Sequence, residues 1–177
     1  MRKYFLFILL AVLYFNKCFA FEIYNLSIDN LNNRINLDFQ INLNEQDVIK
    51  KYVDLGDSIF IDVQIKMVKK NKMFFDSKIG EKIVNIVVKK DMIKNEYVLI
   101  KDKVKTAYSN FTSLLNEIKV FEVNLGSWSK VDKGFTYKII VEAEIKARKI
   151  PNWLKKILFF WNFNLSGPYY YEMEINY

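Results

Sequence analysis

The chain has 177 residues, 51% of them hydrophobic, and carries 27 basic against 20 acidic side chains for a formal charge of +7. Histidine is absent and Cys18 is the single cysteine, which excludes Ser-His-Asp and Cys-His catalysis and any imidazole or thiolate metal site. No cofactor or metal is expected, and any catalysis would fall to carboxylates, Lys, Tyr or Ser.

The chain opens with Arg2 and Lys3, then the apolar run Tyr4 to Phe15, then Asn16-Lys17-Cys18-Phe19-Ala20. A basic stretch, an apolar stretch and a small residue before a cut have the layout of a secretory signal peptide. The run is 12 residues long, short of the ~20 that a spanning helix needs. Residues 1–20 are therefore expected to be a signal peptide cleaved after Ala20, although Cys18 at the −3 position leaves an uncleaved anchor open. Lys17 directly before Cys18 argues against lipid attachment. Residues 21–177 would then form a single extracytoplasmic domain, long enough for a core of its own. Losing Arg2, Lys3 and Lys17 lowers the charge to about +4. That suits a solvated surface, with weak attraction to anionic lipid or an acidic partner as the sharper reading. Export and scattered lysines argue against nucleic acid.

Strand patterns dominate the rest of the chain. Ile23 to Ile28 leads across Asp29-Asn30-Leu31-Asn32-Asn33 into Ile35, Leu37, Phe39, Ile41 and Leu43, which alternate with polar residues, so a hairpin is expected. Asn44 with Asp47 starts a short helix whose Val48, Ile49, Tyr52 and Val53 share a face, and Gly56 ends it. Alternation resumes from Ile59 to Met67. Lys78 to Lys89 and Glu96 to Lys101 form two further strands joined by a turn over Lys90 to Asn95. Phe111 to Ile118 is helical, with Ser109, Asn110, Thr112 and Ser113 all eligible as cap. Phe121 to Leu125 and Phe135 to Ala147 are strands. Pro151 opens a helix through Asn162 with the apolar stripe Trp153, Leu154, Ile157, Leu158 and Trp161. After Gly167-Pro168, Tyr169 to Tyr177 is a closing strand. The fold class is mainly β (α+β): an antiparallel sheet or sandwich of about seven or eight strands with two or three short helices.

Several segments carry both a functional and a structural reading. Met73-Phe74-Phe75-Asp76, between two strands, is either an exposed aromatic loop for a partner or membrane, or a loop folded over the core. The Trp153 helix either packs on the sheet or lies on a bilayer, with Trp153, Phe159 and Phe160 at the interface and Lys155 and Lys156 near lipid phosphates. Tyr169-Tyr170-Tyr171 is either a binding surface or ordinary strand sequence. Glu142 and Glu144 share the polar face of one strand. Acid-base work or a hard cation is one use, and cross-strand pairs with Lys138, Lys146 and Arg148 are the other. The triplets beginning at Asn25, Asn110 and Asn164 match the glycosylation pattern, which matters only in a eukaryotic route.

In order and spacing these features resemble a bacterial family known as domain of unknown function 4390. The signal-like start, the alternating strand, the short helix and the long strand lead into the aromatic loop Lys72-Met73-Phe74-Phe75-Asp76. The turn and aromatic of Asn95-Glu96-Tyr97 come next, then Phe111 to Leu114 with Glu117. Near the end come Ile150-Pro151-Asn152-Trp153-Leu154 and Trp161-Asn162. Met73 and Phe74 stand where many members have tryptophan, and Lys94-Asn95-Glu96 departs from the family's turn. The resemblance implies an exported domain without assigned chemistry, so no catalytic residue is carried over. Members are often encoded near sensor kinases of the nitrogen-regulation type, which implies a place at the envelope beside a signalling protein.

The function expected from these readings is non-enzymatic binding of another envelope protein, with Phe74, Phe75, Trp153 and Trp161 as apolar anchors in a polar rim. A membrane-surface or lipid-binding module is the alternative. A carboxylate enzyme with two carboxyl groups in one cleft is the third.

Overall fold

A computed structural model of the chain describes residues 22–44, 46–71, 75–147 and 164–177, with backbone alone at 164–168. The order is β1 (Ile23–Asp29), β2 (Arg34–Ile41), α1 (Gln46–Asp54), β3 (Ile59–Lys69), β4 (Ser77–Asp91), β5 (Glu96–Lys101), β6 (Val104–Tyr108), α2 (Phe111–Lys119), β7 (Val120–Ser127), β8 (Thr136–Ala147) and β9 (Asn164–Asn176). Single 3-10 turns lie at Leu31–Asn33 and Trp128–Lys130.

The strands make two antiparallel sheets, β1-β2-β7 and β6-β5-β4-β3-β8-β9. Alternation assigns their faces. Ile59, Ile61, Val63, Ile65 and Met67 of β3 point inward beside Tyr137, Ile139, Val141, Ala143 and Ile145 of β8. Ile35, Leu37, Phe39 and Ile41 of β2 cover them from the small sheet, and all join one continuous core. Each fully buried aliphatic side chain contributes about 1.5–3 kcal/mol. Phe39 and Phe121, opposite each other on β2 and β7, stack with centroids 5.0 Å apart.

The helices close gaps in this core. Helix α2 buries Phe111, Leu114, Leu115 and Ile118. Of the four eligible caps it uses Asn110, whose side chain accepts the Ser113 N–H at 2.8 Å. Helix α1 buries Ile49 and Val53 but leaves Val48 exposed, so its apolar face is narrower than the sequence spacing implies. Gly56 ends it with φ +85°, a left-handed conformation open to glycine.

Nine strands are present among the described residues where seven or eight are expected. The additional one, β6, is solvent-exposed along almost its whole length, so it has no apolar alternation to read. It is nonetheless fixed by pairing with β5 from Tyr97↔Tyr108 to Lys101↔Val104. The last strand also begins earlier than expected, at Asn164, and runs through Gly167-Pro168. As an edge strand paired with β8 it tolerates a proline, whose missing N–H can face away from the ladder. Two register shifts fall along this stretch.

Candidate interaction surface

The expected site residues divide sharply. Phe75 lies among the described residues. Phe74, Trp153, Lys155, Lys156, Phe159, Phe160 and Trp161 lie outside them, as do the signal-like segment 1–20 and the helix expected from Pro151.

Residues 70–76 connect β3 to β4 at the end of the large sheet where Lys69 pairs with Ser77 and Tyr137. Asn71 brackets the connection. Its Nδ2 donates to the Phe75 carbonyl at 3.0 Å and to Ser77 Oγ at 3.1 Å, and its N–H donates to Asp76 Oδ1 at 3.2 Å. One residue thus ties the start of the turn to its end. Beyond this tie Phe75 stands 98% exposed, so the fold-back reading of the loop does not hold for this ring.

The neighbouring segment is braced in the same way. The Tyr137 hydroxyl donates to the Asp132 carbonyl at 3.0 Å and accepts the Asp132 N–H at 2.7 Å. Lys69 Nζ meets Asp132 Oδ2 at 2.7 Å and lies 3.4 Å from the centroid of the Phe135 ring, an ion pair and a cation–π contact at once. Tyr177 bonds Gly134 and Phe135 through its backbone and meets Trp128 edge-on at 5.4 Å. Lys70 joins Glu174 at 2.7 Å and donates its N–H to Thr136. A hollow lined by Lys70, Asn71, Gly134, Phe135 and Thr136 lies between the two segments. Phe135 and Tyr177 are each about two-fifths exposed beside it. This end therefore presents a fully exposed ring and two half-exposed rings on a hydrogen-bonded platform.

The carboxylates and tyrosines singled out elsewhere have partners within the protein. Glu142 pairs with Lys66 at 3.6 Å and Glu144 with Lys146 at 2.5 Å, on the outer face of the large sheet. Lys66, rather than Lys138, partners Glu142; Lys138 goes to Glu172 at 2.8 Å. Of the three tyrosines, Tyr169 is buried, Tyr171 packs partly against the core and Tyr170 faces out, its hydroxyl donating to Glu172. Among the described residues no group of three or more acidic or thiol side chains is placed to hold a metal ion, and no helix is long and apolar enough to cross a membrane.

A polar cluster that sequence reasoning misses sits where α1 meets the large sheet. Asp54 accepts from Lys50 at 2.5 Å, the Tyr97 hydroxyl at 2.7 Å and Lys90 at 3.0 Å. The hydrogen bond from Lys50, then those from Tyr97 and Lys90, hold the Asp54 carboxyl well below the usual carboxylate range. Only the i,i+4 pair Lys50–Asp54 is visible in one dimension, since Lys90 and Tyr97 arrive from β4 and β5.

Comparison with family models matches residues 20–173 to the domain of unknown function DUF4390, and the chain belongs to that family. No curated protein and no solved structure matches it.

Proposed function

We propose that this DUF4390 protein is an exported, non-enzymatic docking domain that holds another envelope protein through the Phe75 end of the large sheet. The observation that carries the reading is a phenylalanine left 98% in water while Asn71 hydrogen-bonds its carbonyl and its neighbours Asp76 and Ser77. An exposed ring gains free energy when a partner covers it, and a ring grouped with other partly exposed rings makes a stronger anchor than one alone. Phe135 and Tyr177 extend the patch, and Phe74, next to Phe75 in the chain, is a further anchor in this reading; Trp153 and Trp161 belong to the chain between Ala147 and Asn164, which leaves and re-enters the large sheet at its other end. The signal-like Met1 to Ala20 segment supports the extracytoplasmic location, and the family resemblance suggests the sensor part of a kinase as the partner class.

The test is a photo-crosslinker placed at position 75 in the protein's own cells. A single envelope protein captured there, and lost in a Phe74→Ser/Phe75→Ser variant of unchanged melting temperature, supports the reading. Lipid adducts alone, with salt-sensitive sedimentation on anionic vesicles, would replace it with the membrane-surface alternative that rests on Trp153, Lys155, Lys156, Phe159 and Phe160.

A further inference from the structure

A second surface, separate from the Phe75 loop, is built by the edge of the small sheet. Strand β7 is the last in the order β1-β2-β7, and among the described residues it pairs only with β2. Its other edge borders a groove of about 470 Å³ whose far wall is the β5–β6 hairpin. Lys101 Nζ reaches across from β5 to the Val120 carbonyl at 2.6 Å, so that carbonyl points away from β2. Because successive residues of a strand alternate the direction of their N–H and C=O groups, those of Glu122 and Asn124 point the same way.

The groove has two chemically distinct sides. Its inner side is apolar, lined by Val84, Leu99 and Val123, with the exposed Val104 on the far wall. Its outer rim is acidic. Glu117 and Glu122 form no ion pair with any described residue; Lys82 is matched by Asp102 at 3.4 Å, and the Lys101 ammonium, bonded to the carbonyls of Glu117 and Val120, offsets only part of the charge of Glu117 and Glu122. Asp38 lies directly opposite Glu122 on β2, with Asp29 nearby. Burial, and then these two neighbouring carboxylates, push the Asp38 carboxyl above its ordinary range. The outer face of the large sheet matches its carboxylates with lysines; the edge of the small sheet leaves an excess of negative charge.

We propose that this groove accepts an extended peptide segment of a protein partner as a fourth strand on β7, with basic and apolar residues in alternation. Strand addition meets the open N–H and C=O groups of Glu122 and Asn124. The period of two then sends alternate side chains to opposite faces, so apolar ones enter the groove over Val84 and Leu99 while basic ones lie beside Glu122 and Asp38. Neither face alone specifies this ligand; the unpaired edge, the apolar inner side and the acidic outer side together do.

The probe is a synthetic eight-residue peptide of alternating lysine and valine, titrated into the purified protein at low salt. Saturable binding is expected, with slowed amide exchange at Glu122 and Asn124. The same peptide N-methylated on the backbone nitrogens that would face β7 is expected to bind at least about tenfold more weakly. Glu122→Lys, an exposed position, is expected to weaken binding by about tenfold as well. Absence of saturable binding overturns the proposal. So does equal binding of the methylated peptide, which would reduce the contact to charge alone, and so does protection that leaves Glu122 and Asn124 unchanged. The methylation comparison uses the unaltered protein, so it decides the matter even where Glu122→Lys disturbs folding.

Discussion

Gly80 on β4 lies directly beneath the carbonyl of Leu125 on β7: a β-carbon added at Gly80 would stand 1.9 Å from that oxygen. The small sheet therefore crosses the large one at a point where a strand of each meets backbone to backbone. Gly80 pairs with Met67 of β3, directly beside a register shift between Met67 and Val68. Any side chain there must separate the sheets or distort β7, so Gly80→Ala is expected to destabilise the protein by about 1–3 kcal/mol, and Gly80→Val to prevent folding. Chemical denaturation measures both. A Gly80→Ala protein with an unchanged midpoint would show that the two strands can part freely.

Asp54 joins α1 to the large sheet through Lys50, Tyr97 and Lys90. Tyr97→Phe removes one hydrogen bond from an otherwise buried ring and is expected to cost about 1 kcal/mol. The pH dependence comes from the depressed carboxyl. An acid held more strongly ionised in the folded chain stabilises it fully above its unfolded value of 3.8. That contribution is lost as pH falls from there toward the folded value, because the unfolded chain binds the proton first. Melting temperatures measured from pH 6 down to pH 2 should fall less steeply for Asp54→Asn than for the unaltered chain.

Asp38 predicts the opposite sign. Its carboxyl is raised by burial and by Glu122 and Asp29, so at neutral pH its charge opposes folding, and the penalty is relieved as pH falls through the raised value. Asp38→Asn is expected to stabilise the fold at pH 7 by about 0.5 kcal/mol. A destabilised variant would mean that Asp38 makes an attractive contact outweighing its repulsion. If the acidic edge serves a basic partner strand, the same variant should bind the lysine–valine peptide less well while being more stable.

Asn71 separates loop presentation from fold stability. Asn71→Ala frees both ends of the 70–76 connection but touches no core residue. It is expected to change the unfolding free energy by less than about 1 kcal/mol while reducing capture of a partner at Phe75. Phe75→Ser, at a ring 98% exposed, should leave the melting temperature within about a degree or two. A large loss of stability in Phe75→Ser would show that the ring packs against the protein after all.

Which faces of the strands are buried is legible in one dimension, because alternation is a local property: Ile35 to Leu43, Ile59 to Met67 and Tyr137 to Ile145 each state their own inward side. The hairpin across Asp29 to Asn33, the helix beginning near Asn110, the family and the absence of imidazole chemistry are legible there too. The amino-acid order is silent on β6, because an exposed edge strand has no alternation to display. It is silent as well on Asn71, whose polar side chain reads as loop until its partners at Phe75, Asp76 and Ser77 are known. That β2 and β7 pair across about 80 intervening residues emerges only in the folded chain. Folding likewise brings Lys90 and Tyr97 to Asp54, sets Gly80 beneath Leu125 and leaves the edge of β7 open beside Glu122. The physical reason is the same in each case: periodicity encodes a segment's relation to water, whereas pairing between segments depends on shape and register across the whole core.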